Sequence, residues 1–160
     1  MRRSLNLILD LTSRCNLRCA MCYFSTTDRL RFEPFDRDPS PSGDMTLPAF
    51  AHVADELFPL ARRVALGCAA EPLMHPRLVE LLAIASRHEV PDLWFPTNLL
   101  PLTERSAEAV VAAGVRTVAV SVDGTDRETY EAIRRGGSWE RLLSRIDLLR
   151  RVREAHGSRH

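Results

Sequence analysis

The stretch LNLILDLTSRCNLRCAMCYFS occupies residues 5–25 and dictates how the rest of the chain is interpreted. It opens with the apolar run Leu5 to Leu11, which predicts the first β-strand. Directly after that strand, three of the four cysteines in the chain lie within eight residues, at Cys15, Cys19 and Cys22. Clustered cysteines point to a disulfide framework, a zinc site or an iron–sulfur site, and each of these needs a different setting.

The composition limits both the fold and the chemistry. With 160 residues, of which 45% are hydrophobic, the chain is long enough to form one domain with a buried core. The net charge of +1 gives no global field that would attract nucleic acid, and no nucleic-acid partner is indicated. The absence of lysine from the sequence excludes a lysine Schiff base and a Walker-type phosphate loop. No window approaches about 18 apolar residues, so we expect no membrane span and a cytoplasmic protein.

After the cysteines, short apolar runs alternate with amphipathic segments. Three further strands are predicted by RVALGC, DLWFPTN and VRTVAVSV, at residues 63–68, 92–98 and 115–122. Strands that alternate with helices favour parallel βα units with right-handed crossovers. The predicted class is therefore α/β, with four βα units that form half of an eight-unit barrel or a small open sheet.

N-capping residues and helix-breaking residues predict the first three helices and one long loop. Residues 23–44 are rich in proline, aspartate and serine and are predicted to form a loop. Thr46 is the expected N-cap of a helix whose apolar face runs from Leu47 to Phe58. Pro76 is expected to open the second helix, and the third is expected to run from about Thr103 to the stop at Gly114.

Two more helices are predicted beyond the fourth strand. Thr125 and Glu128 have capping-box spacing for a short helix, which a pair of glycines at 136–137 then breaks. Ser138 is expected to start the last helix. Four apolar side chains of this helix are predicted to face inward, namely Leu142, Leu143, Ile146 and Leu149.

The three clustered cysteines suit some kinds of site better than others. Structural zinc takes four ligands, usually as two separated pairs, and here the fourth would have to be Cys68 or His75, neither of which belongs to a second pair. A disulfide is disfavoured in a reducing compartment. A [4Fe–4S] cluster takes one cysteine per iron, so three cysteines leave one iron open, as catalytic metal sites do. The residues favour the cluster, with zinc as the remaining alternative.

The cysteine spacing resembles that of a known family. C-x3-C-x2-C directly after the first strand of a β/α chain resembles the radical S-adenosylmethionine (radical SAM) enzymes, and CNLRCAMCYFS at 15–25 is similar to the form in their peptide- and protein-modifying branches. The resemblance implies that Cys15, Cys19 and Cys22 hold a [4Fe–4S] cluster whose open iron is chelated by S-adenosylmethionine. A low-potential flavodoxin- or ferredoxin-like donor would supply the electron that cleaves this cofactor to a 5′-deoxyadenosyl radical. The radical abstracts hydrogen from a substrate, and a peptide is one candidate class.

The segment after the second strand extends the resemblance. LGCAAEPLMHP, at residues 66–76, is similar to the family's Gly-Gly-Glu-Pro-Leu segment, which binds the amino group of the cofactor. Ala69 and Ala70 replace the two glycines, whereas Glu71 is retained. Because glycine lets the backbone approach a ligand closely, the two alanines are expected to weaken that contact. Cys68, just before them, is predicted to be a small buried residue.

The segments after the third and fourth strands also resemble segments of this family. PTNLL at 96–100 resembles the family's Thr-Asn-Gly segment, with Leu99 at the glycine position, and SVDG at 121–124 resembles its Ser-x-Asp-Gly segment. All these segments follow predicted strands, and the carboxyl ends of parallel strands share one edge where such folds place their active sites. The resemblance implies that the cofactor-binding residues are Glu71, Asn98, Ser121 and Asp123, with Arg134 as a further candidate.

The resemblance covers about residues 5–149 but only part of the family domain. Family members generally have six βα units, so residues 1–160 are expected to form one truncated core domain, a (βα)4 half-barrel that lacks the fifth and sixth units of the (βα)6 partial TIM barrel. Its fourth strand would be an open edge, so the chain is expected to be a fragment or a truncated gene product, and coverage of the edge by a partner chain or by self-association is the alternative. The alternative to a radical SAM enzyme is a non-catalytic half-barrel that binds a cluster or a partner without turnover.

Overall fold

The computed structural model describes residues 3–22 and 43–157 and has an α/β architecture. Its four strands are β1 (Leu5–Leu9), β2 (Ala61–Leu66), β3 (Asp92–Thr97) and β4 (Thr117–Val120). They form one sheet in the order β1-β2-β3-β4, and each neighbouring pair is parallel. The predicted fold class and all four strands are confirmed, each strand being shorter than or offset from the expected run. Most of the predicted loop at 23–44 lies outside the described residues.

Within residues 3–22 and 43–157, five α-helices accompany the strands. They are α1 (Leu47–Leu57), α2 (Leu78–Ala85), α3 (Glu104–Ala112), α4 (Arg127–Ile133) and α5 (Trp139–Ala155). The hydroxyls of Thr46, Thr103 and Ser138 cap α1, α3 and α5, each accepting a hydrogen bond from a backbone N–H of the first turn. This confirms the predicted cap at Thr46 and the predicted helix starts at Thr103 and Ser138. No described helix combines the length and the apolar character that a membrane crossing requires.

Two predicted helix starts are wrong by one or two residues. Pro76 does not open α2, which begins at Leu78 after the N-cap Arg77. Thr125 is not the cap of α4, because the Asp126 carboxylate accepts the hydrogen bond from the backbone N–H of Thr129. Aspartate is at least as favourable an N-cap as threonine, so the helix begins one residue later than predicted.

The core lies between the sheet and the helices. The largest fully buried side chains of its main cluster come from the residues just after β1, from α1, the 3₁₀ turn after it, β2, α2 and β3: Leu11, Phe50, Phe58, Leu66, Leu81, Leu82 and Phe95. A second cluster joins α3 and α5 to the cysteine loop, and it includes Leu17, Leu102, Tyr130 and Leu142. The cysteine loop is thus part of a packed interior.

The inward face of α5 differs from the prediction. Leu142 is buried and Leu149 packs against the second cluster, whereas Leu143 is 48% and Ile146 is 39% exposed. The buried stripe runs through Leu142, Leu149 and Val152, and the rotation of about 100° per residue turns Leu143 out of it. Ile146 lies one turn after Leu142, on the same side of the helix, and is exposed at the border of the stripe. Apolar content alone therefore did not identify which leucines face the core.

The sheet topology brings four loops to one place. Because all strands are parallel, the segments 10–22, 67–77, 98–103 and 121–126 leave the sheet at the same edge. At the sides of the sheet, β1 and β4 are the two edge strands within the described residues. The predicted open edge at β4 is therefore present in this part of the chain.

Candidate functional site

The cysteine loop leaves β1 and is anchored at both ends. At its start, the Thr12 hydroxyl donates to the Asp44 carboxylate at 2.6 Å and accepts from the Arg14 backbone N–H at 3.1 Å. Farther along, the backbone N–H groups of Arg18 and Ala20 donate to carbonyls at the end of α4. These bonds satisfy backbone groups that would otherwise be costly to bury. The loop therefore has a defined path across the top of the sheet.

The three clustered cysteines line one cavity of about 210 Å³. Cys15 is exposed, Cys19 is buried and Cys22 is half-buried, and none of them forms a disulfide. Across residues 3–22 and 43–157, no three His, Cys, Asp or Glu side chains lie close enough together to hold a single metal ion. Thiols spread around a cavity several times the roughly 30 Å³ share of one water molecule suit a group with several metal atoms, each bound by its own thiolate.

Cys15 has a perturbed acidity. Partial burial of the thiol raises its pKa, and the negative charges of Glu71, Cys19 and Cys22 raise it further. A hydrogen bond from the Leu17 backbone N–H acts in the opposite direction and does not cancel these effects. A bound metal cation would instead lower the pKa of Cys15, because a thiol that coordinates a metal is held deprotonated.

Glu71 is a buried carboxylate with both oxygens occupied. It is 2% exposed, and it lies where the segment after β2 meets the end of β3. One oxygen accepts from the Thr97 hydroxyl at 2.6 Å and from the Leu73 backbone N–H at 3.1 Å, and the other accepts from the Asn98 backbone N–H at 2.6 Å. Burial raises the pKa of Glu71, while these hydrogen bonds and the charge of Arg134 partly lower it.

The segment before Glu71 is held by a second carboxylate. One oxygen of Asp10, just after β1, accepts from the backbone N–H groups of Cys68 and Ala69 at 2.7 and 2.8 Å. Gly67 makes this turn with φ of +130°, and its Cα faces the ring of Pro72. Ala69 and Ala70, which stand at the family's glycine positions, line the cavity, so their methyl groups take up space at its wall.

Asn98 contacts both the cavity and the cysteine loop. Its side-chain amide donates to the Asn16 side-chain carbonyl at 2.9 Å, and its own carbonyl accepts from the Leu100 backbone N–H at 3.0 Å. Leu99 follows with φ of +67°, a conformation that glycine adopts easily and leucine does not. The glycine-like position inferred from the sequence is therefore glycine-like in its backbone, although a buried leucine occupies it.

Ser121 and Asp123 lie at the end of β4, as predicted. Ser121 lines the cavity, and its backbone N–H donates to the Thr97 carbonyl at 2.9 Å. Asp123 makes an ion pair with Arg134, with 2.5 Å between Oδ2 and Nε. Arg134 lines the cavity beside Ser121, so it carries positive charge to a site that otherwise holds thiols and a buried carboxylate.

The geometry corrects one sequence-based prediction and adds two residues to the site. Cys68 is exposed and lines the cavity, so the prediction of a buried small residue is wrong. It follows Gly67, whose turn directs the next residue outward from the strand end. Asn16 and Thr97 bind predicted site residues, and both were missed. Thr97 stands in the PTNLL segment that resembles the family's Thr-Asn-Gly segment, whereas the only signal for Asn16 was its position next to Cys15.

His75 serves the local structure of the loop. It is buried, with Nε2 placed 3.0 Å from the Met45 carbonyl and Nδ1 accepting from the Arg77 backbone N–H at 3.0 Å. Both ring nitrogens are therefore used by the backbone. A separate cavity between α1 and α2, on the outer layer, contains none of the predicted site residues.

One cavity brings the three thiols together with residues that follow β2, β3 and β4. The family model described as the radical SAM superfamily matches residues 9–156. The chain belongs to the radical SAM superfamily. Members of this superfamily bind a [4Fe–4S] cluster and S-adenosylmethionine, and the predicted cofactors are thereby confirmed at the level of the family.

Curated relatives place this radical SAM chain among several different enzymes. It is 35% identical over 150 residues to GTP 3′,8-cyclase 2 of Pseudomonas aeruginosa, covering 93% of this chain and 42% of that protein. It is 29% identical over 144 residues to the AdoMet-dependent heme synthase of Methanosarcina barkeri, covering 89% and 38%. The chain thus spans about two fifths of the length of these relatives.

Solved structures support the partial-barrel fold of the radical SAM chain. Native anSMEcpe with bound AdoMet matches with a TM-score of 0.68 and 18% identity, covering 92% of this chain and 40% of that one. BtrN in complex with AdoMet and 2-DOIA matches with a TM-score of 0.58 and 19% identity, covering 82% and 52%. At these identities the likeness establishes the fold.

Proposed function

We propose that Cys15, Cys19 and Cys22 bind the three protein-ligated irons of a [4Fe–4S] cluster, and that S-adenosylmethionine binds beside it in the same cavity. The observation that carries the proposal is that this cavity is lined by the three thiols together with Glu71, Asn98 and Ser121. Three thiolates leave one of four irons without a protein ligand, which is the arrangement that a chelating cofactor requires.

The polar groups around the cavity suit the parts of S-adenosylmethionine that need recognition. We assign Glu71 to the side of the amino group, since a buried carboxylate favours a nearby cation. Asn98 and Ser121 supply amide and hydroxyl groups that both donate and accept, as ribose and carboxylate contacts require. Asp123 acts through its ion pair, because it fixes the direction of the Arg134 guanidinium.

We further propose that the chain is the N-terminal part of a radical SAM enzyme core. When bound and reduced by one electron, the cluster with its cofactor supplies a 5′-deoxyadenosyl radical for hydrogen abstraction. A low-potential flavodoxin- or ferredoxin-like protein is the proposed electron donor. The proposed substrate class is a peptide or protein, which rests on the likeness of residues 15–25 to the family's peptide-modifying branches.

A second candidate function is a half-barrel that binds a cluster or a partner chain without turnover. Two observations favour it. Ala69 and Ala70 place methyl groups at the cavity wall where relatives have glycine, and the chain spans about two fifths of its curated relatives. This candidate keeps the cluster and loses the productive binding of S-adenosylmethionine.

Anaerobic reconstitution of the 160-residue chain tests both candidates. We expect about four irons and four sulfides per chain, and we expect the cluster to be lost in Cys19→Ala and retained in the matched control Cys68→Ala. Stoichiometric zinc without iron would contradict the cluster. With a loaded cluster, dithionite and S-adenosylmethionine should yield 5′-deoxyadenosine. No product from a fully loaded chain, with restoration in Ala69→Gly/Ala70→Gly, would favour the second candidate.

A further inference from the structure

The cysteine loop and the end of α4 are paired through their backbones. The Arg18 N–H donates to the Arg135 carbonyl at 2.9 Å, and the Ala20 N–H donates to the Ile133 carbonyl at 2.8 Å. These two bonds flank Cys19 on one segment and Arg134 on the other. The pairing therefore sets Cys19 opposite Arg134, independently of any contact between their side chains.

The Arg134 side chain uses this placement to contact the thiol. Its Nη1 donates to the Cys19 sulfur at 3.7 Å, while its Nε donates to the Asp123 carboxylate at 2.5 Å. Cys19 is 7% exposed and the Arg134 side chain is 16% exposed. Solvent screens a pair at this depth only weakly, so the charge of the guanidinium acts strongly on the sulfur.

The turn that carries Arg134 has little freedom to move. The Arg134 N–H donates to the Tyr130 carbonyl and its own carbonyl accepts from the Gly137 N–H, both at 2.7 Å. A Cβ at Gly137 would lie 2.8 Å from the Arg134 carbonyl, closer than real Cβ atoms come, and Gly136 has φ of +87°. Both glycines are thus required by this turn, and the guanidinium is held before any cofactor binds.

We propose that Arg134 is a positioning residue that raises the reduction potential of the cluster through its hydrogen bond to the Cys19 thiolate. This inference rests on the proposed function, because it takes Cys19 as a cluster ligand. A reduced cluster carries one more negative charge than an oxidised one. A nearby cation and a hydrogen bond to a ligating sulfur both stabilise that extra charge, and such contacts are among the factors that set the potentials of iron–sulfur clusters. The Asp123 carboxylate offsets part of this effect and fixes its geometry.

The test measures the midpoint potential of the reconstituted chain without S-adenosylmethionine, by titration with dithionite followed by electron paramagnetic resonance. Omitting the cofactor removes any contribution of Arg134 to cofactor binding. We expect Arg134→Gln to shift the midpoint to a lower potential at unchanged iron content, and we expect Arg134→Lys to give a smaller shift. The matched control is Arg135→Gln, which removes the same charge from an exposed neighbouring residue.

Each outcome of this test is decisive. Equal midpoints for Arg134→Gln and Arg135→Gln would overturn the inference. A midpoint that falls equally in the two variants would also overturn it, since general surface charge would then explain the shift. If Arg134→Gln does not assemble a cluster, Arg134→Lys replaces it, and its midpoint should lie below that of the wild type; an unchanged midpoint would overturn the inference. A wild-type chain that binds no iron contradicts the proposed function instead, so the two failures are distinguishable.

Discussion

The Thr97 hydroxyl donates to the buried Glu71 carboxylate at 2.6 Å and also accepts from the Leu99 backbone N–H at 2.8 Å. This single side chain therefore connects the segment after β2 with the turn after β3. It also links a carboxylate that lines the candidate site with the strained backbone beside it. The first prediction follows from that link.

Thr97→Val should destabilise the fold by about 2 kcal/mol, because hydrogen bonds to charged groups contribute roughly 1.5–3 kcal/mol and a buried carboxylate oxygen would lose a donor. The measurement is the free energy of unfolding in urea. Thr117→Val is the matched control, since Thr117 is an exposed residue of β4. Equal losses for the two variants would contradict the assigned role of Thr97.

The contribution of Glu71 to stability should depend on pH with a definite sign. Burial raises its pKa above the reference value of 4.5, so the folded chain binds the proton more tightly than the unfolded chain. Stability from this group is fully present below the unfolded pKa and is lost as pH rises through the folded pKa. Lowering the pH from about 7 toward 5 should therefore favour the wild type over Glu71→Gln.

Urea unfolding of both chains at several pH values checks this prediction. The exposed Glu108 provides the control variant, Glu108→Gln, whose difference from the wild type should show no such trend. A wild-type advantage that grows with rising pH would mean that the hydrogen bonds to Glu71 outweigh its burial.

At residue 99, glycine should be tolerated better than alanine. Leu99 has φ of +67° and is 1% exposed, so both variants lose the buried packing of the leucine side chain beyond Cβ. Alanine keeps the cost of the left-handed conformation, roughly 1–2 kcal/mol, and glycine removes it. We expect Leu99→Gly to be about 1 kcal/mol more stable than Leu99→Ala.

Leu102 is the control position for the two Leu99 variants. It is equally buried, and only Glu89 and Leu99 have positive φ among the described non-glycine residues. Leu102→Gly should therefore be less stable than Leu102→Ala, because glycine costs more backbone entropy. The same order at both positions, measured by thermal unfolding, would argue against strain at Leu99.

Thiol reactivity in the iron-free chain should distinguish the four cysteines. Cys68 and Cys15 are exposed, but the pKa of Cys15 is raised, so less of it is present as the reactive thiolate near neutral pH. Cys68 should react first with iodoacetamide, and buried Cys19 last. Raising the pH should reduce the difference in alkylation rate between Cys15 and Cys68. Peptide mass spectrometry follows each site, and Cys68→Ser should remove the fast phase.

The sequence predicted the elements that local chemistry controls. Thr46, Thr103 and Ser138 cap helices because a hydroxyl at that position satisfies a backbone donor wherever the helix later packs. The sequence also predicted that Glu71 and Asn98 lie on the same edge of the sheet, since a parallel sheet brings the carboxyl ends of its strands to one edge.

What the sequence did not predict depends on contacts between distant segments. The bond from Asn98 to Asn16 joins residues 82 positions apart, and nothing in either neighbourhood specifies it. The outward placement of Cys68 results from the turn at Gly67 and the Asp10 carboxylate after another strand. The exposure of Leu143 depends on where α5 meets α3, which is set by tertiary packing.

The pairing of the cysteine loop with the end of α4 has a consequence for biosynthesis. Arg134 and Cys19 are 115 residues apart, so the loop emerges from the ribosome long before the backbone that fixes it. Closing so long a segment belongs to the late, slow part of folding. Under the proposed function, iron that enters this loop in its final conformation must therefore arrive after the fourth βα unit has been made, although Cys15, Cys19 and Cys22 are synthesised well before that unit.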